Sequence, residues 1–275
     1  MVITGKWNQN RYRIGRLLGE GTSGRVYLVT AGQQAYAMKI GFDSLDLQSE
    51  VNIIRQIRQM SAEPYLIDVD DFVFQGKEYP FYVMKYIEGE EISRYIQARG
   101  ADWFYIVGKN LLSRLCHLHT QGYIFGDLKP QNVLVHGYGC VELIDYGGVT
   151  RKGRAVKQYT ECYDRGKWKA GSRTADEAYD LFAFAMLCLY VAIRLDRKQR
   201  YPFPTFRLDD CLEVVRTNPF CARMAPFLRK ALRGEFASSR EAAECWDKLV
   251  LGPGEQSRRA ANTPWLVKAF AVSAA

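Results

Sequence analysis

One run constrains this chain more than any other: Tyr123-Ile-Phe-Gly-Asp-Leu-Lys-Pro-Gln-Asn-Val-Leu-Val135, followed after a gap by Ile144-Asp-Tyr-Gly147. It holds a carboxylate (Asp127), an ammonium (Lys129), a carboxamide (Asn132) and a second carboxylate (Asp145). Pro130 marks 127–132 as loop, Val133–Val135 predicts a short strand, and Cys140–Ile144 predicts its partner, ending at Asp145 before Gly147-Gly148. A hairpin in this register gathers Asp127, Asn132 and Asp145 around one small space. Phosphoryl transfer uses that set: a carboxylate to orient and deprotonate a hydroxyl, and hard oxygens for Mg²⁺.

At these residues the chain resembles a protein kinase. D-L-K-P-x-N-V-L resembles the catalytic loop, and D-Y-G stands where kinases usually carry D-F-G. Lys129 gives the D-x-K-x-x-N form of the serine/threonine kinases. Taken singly, these residues would suit an Asx-rich turn; the whole string with its spacing is the specific signal.

The chain upstream can be read in the same order. Arg13–Leu18 and Arg25–Val29 predict two strands around Gly19-Glu-Gly-Thr-Ser-Gly24. Three glycines in G-x-G-x-x-G let the backbone approach phosphate oxygens. A dinucleotide-binding loop has the same letters but opens a helix, whereas Val26-Tyr-Leu-Val29 reads as a returning strand. A third strand, Ala35–Ile40, carries Lys39 in A-M-K, similar to the kinase V-A-I-K strand. Leu45–Met60 has helical periodicity with Leu47, Glu50, Ile54 and Ile57 on one stripe. A glutamate there needs a partner, and Lys39 is the natural one. Phe72–Phe74 and Phe81–Tyr86 predict a hairpin across 75–80.

Trp103–His119 predicts an amphipathic helix stopped near Gly122, with His119 structural rather than catalytic. Kinases usually read H-R-D where this chain reads Phe125-Gly126-Asp127. Phe125 fits a packing position beside Tyr146 and Ile54, but Gly126 cannot grip a phosphorylated segment as the usual arginine does. No clear A-P-E follows; Thr160-Glu161 and Ala175-Asp-Glu177 both stand as replacements. Thr150, Thr160, Ser172 and Thr174 are autophosphorylation candidates by location. Asp180, in Tyr179-Asp-Leu-Phe-Ala183, is expected to hold the catalytic-loop backbone.

Composition excludes other classes. Leu181–Ile193 is the longest apolar run, and thirteen residues are too few to span a bilayer. The start carries no secretory signal pattern. Seven scattered cysteines without C-x-x-C favour a reducing cytoplasm over a disulfide framework or zinc site. The net charge of +8 is uneven: residues 1–90 hold 10 Lys/Arg against 11 Asp/Glu, and 91–275 hold 28 against 19. Arg151–Arg173 contains eight basic and two acidic residues, followed later by Arg194, Arg197, Lys198, Arg200, Arg223, Arg229, Lys230 and Arg233. Such basic faces suit polyanions such as double- or single-stranded DNA, or are simply solvated.

Kinase-like motifs span roughly residues 11–250 in order. The spellings Gly5-Lys-Trp-Asn8, Tyr123–Pro130, Tyr159-Thr-Glu-Cys-Tyr-Asp-Arg-Gly166 and Ala178–Ala183 are similar to YabT-type kinases of spore-forming bacilli. The resemblance implies a bacterial Hanks-type serine/threonine kinase with an α+β bilobal fold. Its small antiparallel-sheet lobe with one helix is expected at 1–88, a larger helical lobe at 89–252, and a tail or linker at 253–275. It implies ATP with Mg²⁺ or Mn²⁺ as cofactor and a protein substrate bearing Ser or Thr. The implied nucleotide site is Leu18, Gly19, Gly21, Gly24, Val26, Ala37, Lys39, Met84, Lys85, Ile87 and Leu134. Asn132 and Asp145 are the implied metal ligands, and Asp127, Lys129, Lys39 and Glu50 the catalytic set. DNA association and a membrane anchor beyond Ala275 are further implications; the chain itself shows no anchor. The competing readings are a nucleotide-binding pseudokinase scaffold, a small-molecule kinase, and a nucleic-acid-binding module on a kinase fold.

Overall fold

Alternating β-branched and aromatic residues in the first 85 positions form a six-stranded antiparallel sheet. Its strands are β1 (Val2–Thr4), β2 (Arg11–Gly21), β3 (Gly24–Ala31), β4 (Gln34–Gly41), β5 (Leu66–Phe74) and β6 (Lys77–Lys85), in the order β1-β2-β3-β4-β6-β5. The structure is a computed structural model that describes residues 1–58, 64–195 and 206–249. Gly19 pairs with Val26 and Gly21 with Gly24, so the glycine-rich turn is the tip of a hairpin and opens no helix. That excludes the dinucleotide-type arrangement.

One helix, α1 (Ser44–Arg58), packs on this sheet. Asp43 Oδ1 caps it by accepting from the amides of Leu45 at 2.8 Å and Asp46 at 3.0 Å. Leu47, Glu50, Ile54 and Ile57 form its buried stripe, as their spacing predicts; Met60 lies outside the described residues.

The second lobe is mainly helical. It comprises β7 (Glu90–Glu91), α2 (Ile92–Arg99), α3 (Trp103–Thr120), β8 (Tyr123–Ile124), β9 (Val133–His136), β10 (Cys140–Leu143), β11 (Thr150–Arg151), α4 (Glu177–Leu195), α5 (Leu208–Thr217) and α6 (Ala225–Arg233), with helical residues 239–249 behind them. The expected hairpin is present: β9 pairs with β10, and β7 flanks β9. Together the sheet lobe and the helical lobe make the α+β bilobal arrangement expected from the sequence.

Helix α4 is its axis. At 19 residues it is longer than the thirteen-residue run counted from sequence and passes for a bilayer span by length and composition, but 78% of its most apolar window is buried inside the protein. Each fully buried Leu or Phe in it contributes roughly 1.5–3 kcal/mol relative to exposure. Trp246 closes the base of the lobe by packing on Phe104, Phe184 and Phe227. It also lies against Gly108, where a Cβ would come within 2.4 Å of the indole. Arg197, Lys198, Arg200, Gly252 and the tail from 253 lie outside the described residues.

Candidate active site

Two clusters face each other across the lobes. On the sheet side, β4 carries Lys39 inward and α1 carries Glu50 to meet it: Nζ donates to Glu50 Oε2 at 2.7 Å and to Asp145 Oδ1 at 3.0 Å. Glu50 Oε1 also accepts from the buried Tyr82 hydroxyl at 3.0 Å. Burial works against the Lys39 ammonium, but the charges of Glu50 and Asp145 outweigh it and hold its pKa above the usual lysine value. Burial likewise opposes the Asp145 carboxylate. The Lys39 charge prevails there too, and the pKa of Asp145 is lowered. The pair thus stays charged, with Asp145 in the left-handed region at φ 62° and accepting from the Gly147 amide at 3.4 Å.

On the helical side, both oxygens of Asp127 are engaged. Oδ2 lies 2.5 Å from Lys129 Nζ, and Oδ1 accepts from the Thr160 hydroxyl at 2.9 Å. Lys129 also donates to Thr160 Oγ1 at 3.2 Å, closing a triangle. Asn132 donates its amide to the Asp127 carbonyl at 2.9 Å, leaving its own Oδ1 as an acceptor. Thr160, read from sequence as an autophosphorylation candidate and with Glu161 as a replacement for A-P-E, has its hydroxyl on the central carboxylate.

The loop under Asp127 hangs from α4. Asp180 is fully buried and accepts from the amides of Phe125 at 2.7 Å and Gly126 at 2.9 Å, and its carboxylate meets His119 Nε2 at 2.8 Å. The expected backbone-holding role of Asp180 and structural role of His119 are therefore visible in the geometry. Phe125 packs edge-on to Tyr146 with ring centroids 6.2 Å apart. Gly126 has φ 81°, and a Cβ there would lie 2.7 Å from the Gly148 carbonyl. Both conformation and space require glycine at this position.

The remaining residues implied for the nucleotide lie mostly on strands β2, β3, β4, β6 and β9. Ala37 and Met84 are buried and paired across β4 and β6. Leu18, Val26 and Ile87 are partly buried against the same core, and Leu134 is half-buried on β9. Lys85 is exposed, its amide donating to the Tyr65 carbonyl at 2.8 Å. The glycines divide by cause. A Cβ at Gly24 would strike the Ile40 carbonyl at 2.3 Å, whereas at Gly19 or Gly21 it would meet no protein atom within 4 Å. Packing explains Gly24 and leaves the other two free for close approach of a ligand.

Much of the basic segment is neutralised internally. Lys152 pairs with Glu177 at 2.6 Å, Arg165 with Asp176 at 2.6 Å, Lys167 with Glu161 at 3.2 Å, and Arg173 with Asp164 at 2.7 Å. Half of the eight cations counted from sequence thus face a carboxylate. Among the described residues no cluster of three His, Cys, Asp or Glu is built to hold a metal. Asn132 and Asp145 do present hard oxygens, the donor type Mg²⁺ takes when phosphates and waters complete its shell. All seven cysteines are free thiols.

The geometry agrees with comparison to known proteins. The protein kinase domain model matches residues 12–196. Over 247 residues the chain is 38% identical to the serine/threonine-protein kinase YabT of Bacillus subtilis, covering 87% of this chain and 72% of that protein. It is 30% identical to the ribosomal protein S6 kinase beta of Caenorhabditis elegans over 50% of this chain and 27% of that one. It is 29% identical to the cAMP-dependent protein kinase type 3 of Saccharomyces cerevisiae over 52% and 38%. The chain belongs to the protein kinase family and stands with its serine/threonine members.

Proposed function

We propose that this chain transfers the γ-phosphate of ATP to serine and threonine hydroxyls of proteins, itself included, without the arginine-based phosphorylation switch. The observation that carries this reading is the triangle of Asp127, Lys129 and Thr160 beside the Lys39–Glu50–Asp145 chain. Asp127 orients the acceptor hydroxyl and takes its proton as the oxygen bonds to the γ-phosphorus and the β–γ bridge breaks. Lys129 offsets the negative charge that develops there. Lys39, kept charged by Glu50, fixes the α- and β-phosphates. Leu18, Val26, Ala37, Met84, Ile87 and Leu134 enclose the base, with the backbone of 85–87 reading its edge, and Gly19, Gly21 and Gly24 let the backbone close over the phosphates. Asn132 and Asp145 would hold Mg²⁺, which when bound neutralises phosphate charge. The lobes divide near residue 88, and the free thiols fit a reducing cytoplasm.

Autophosphorylation is proposed at Ser172 and Thr174, which are exposed, rather than at Thr150, which is buried, or at Thr160. Regulation by DNA is a separate proposal that rests on charge; the exposed Arg229 on α6 and the exposed Arg151, Arg154 and Lys169 of the basic segment support it.

The test is ³²P transfer from Mg-ATP to the chain and to a generic protein substrate, with and without duplex DNA, beside Asp127→Ala. Transfer lost in a folded, ATP-binding Asp127→Ala supports the reading. Equal turnover in that variant, or nucleotide binding without transfer by the unaltered chain, would replace it with a scaffold.

A further inference from the structure

Asp164 and Arg165 form two crossed ion pairs that close residues 164–176 into a loop. Asp164 is fully buried, and four groups converge on its carboxylate: the amides of Gly166 and Lys167 at 3.1 Å each, the Tyr179 hydroxyl at 2.9 Å and the Arg173 guanidinium at 2.7 Å. Arg165 is also buried. It donates to the carbonyls of Ser172 at 2.7 Å and Thr174 at 3.2 Å and to Asp176 at 2.6 Å.

This loop brackets Thr160. One turn of 3₁₀ helix leads from Thr160 to Asp164, with the Tyr163 amide donating to the Thr160 carbonyl at 2.8 Å. From the other side, the Arg173 guanidinium that pairs with Asp164 lies 4.4 Å over the ring of Tyr159. Tyr179, which holds Asp164, and Asp180, which holds the backbone before Asp127, are neighbours in the first turns of α4. The two sides of the Thr160–Asp127 contact are therefore suspended from one rigid helix.

We infer that Arg165 and Asp164 are positioning residues for phosphoryl transfer: they seat the Thr160 hydroxyl on Asp127 and Lys129. The inference rests on the proposed kinase activity but goes beyond it, since neither residue touches the reacting groups.

The test is a double-mutant cycle between residues that are not in contact, Arg165 and Thr160. Arg165→Gln is expected to lower kcat about ten- to a hundredfold, the cost of a small misplacement at a reacting centre, with the KM for ATP unchanged. In a Thr160→Ala background the same substitution should cost far less. Arg165→Lys, which keeps the charge but not the planar fork, should fall between. Equal fold-losses in the two backgrounds, or unchanged kcat in Arg165→Gln, overturn the inference. Should Arg165→Gln fail to fold, Arg173→Gln removes the companion pair from a half-exposed guanidinium and takes its place in the cycle. Hydrogen exchange reads the same device without turnover. The Tyr163 and Asp164 amides should exchange at least about tenfold faster in either variant, as expected when a local structural unit opens more readily. Unchanged exchange overturns the inference even if the chain proves to be a scaffold.

Discussion

Thr160 donates its hydroxyl to Asp127 Oδ1 at 2.9 Å, on the oxygen opposite the one that Lys129 occupies. Asp127 is thereby held from two sides, by a residue two positions away and by one thirty-three positions away.

A hydroxyl at 160 is thus expected to matter and a negative charge there to be harmful. Thr160→Ser should retain most of the transfer rate, Thr160→Ala should lose roughly ten- to a hundredfold, the scale of one lost hydrogen bond to a charged group, and Thr160→Glu should abolish it by setting a carboxylate beside Asp127. Steady-state phosphorylation of one protein substrate by the three variants checks this. A fully active Thr160→Glu would contradict it.

Lys39 and Glu50 form a buried pair, so removing one partner leaves the other uncompensated. Glu50→Ala is expected to destabilise the fold by about 3–5 kcal/mol and to raise the KM for ATP as Lys39 swings toward Asp145. Lys39→Met combined with Glu50→Gln should recover part of the stability but none of the activity. Urea unfolding of the single and double variants separates the two effects.

Gly126→Arg, which restores the usual kinase letter, is not expected to restore a switch. The residue would have φ 81° and a Cβ 2.7 Å from the Gly148 carbonyl. About 1–3 kcal/mol of strain should appear as a lower Tm, with transfer reduced and no new sensitivity to phosphatase treatment. A more stable, phosphatase-sensitive variant would show that the loop can rearrange to accept an arginine.

Glu177 ties the basic segment to the helical lobe. Burial alone would raise its pKa, but the Lys152 ammonium and the Ser239 amide outweigh it and bring it from 4.5 to about 2. A depressed carboxylate contributes stability that is complete above its unfolded pKa and is lost as pH falls through the folded one. After screening by solvent, the margin of unaltered chain over Glu177→Gln should be about 1–2 kcal/mol near neutral pH and shrink as pH falls from about 4.5 toward 2. Urea midpoints at several pH values read this; a pH-independent margin would rule out the pair as its source.

Much of the site was legible because its chemistry is local in sequence. Asp127, Lys129 and Asn132 share one loop whose Pro130 and following strand announce it, and Asp145 ends the partner strand. Glu50 was readable as the carboxylate in an otherwise apolar stripe, and its union with Lys39 followed from the cost of burying either alone. Gly126 was readable as a departure, although only the close approach of Gly148 shows why no side chain fits. Charge was read least well: sequence counts Lys152, Arg165, Lys167 and Arg173 as free cations, whereas folding places a carboxylate against each.

The sequence by itself determined the fold class and the reacting groups, because strand alternation, helical periodicity and a loop of fixed spacing act over a few residues at a time. Tertiary structure alone decided which hydroxyl meets Asp127 and what anchors the segment that carries it. Thr160, Asp164, Arg173 and Tyr179 have no periodic relation to the catalytic loop. They come together only because α4 is buried, and a buried carboxylate such as Asp164 must collect donors from wherever the chain passes.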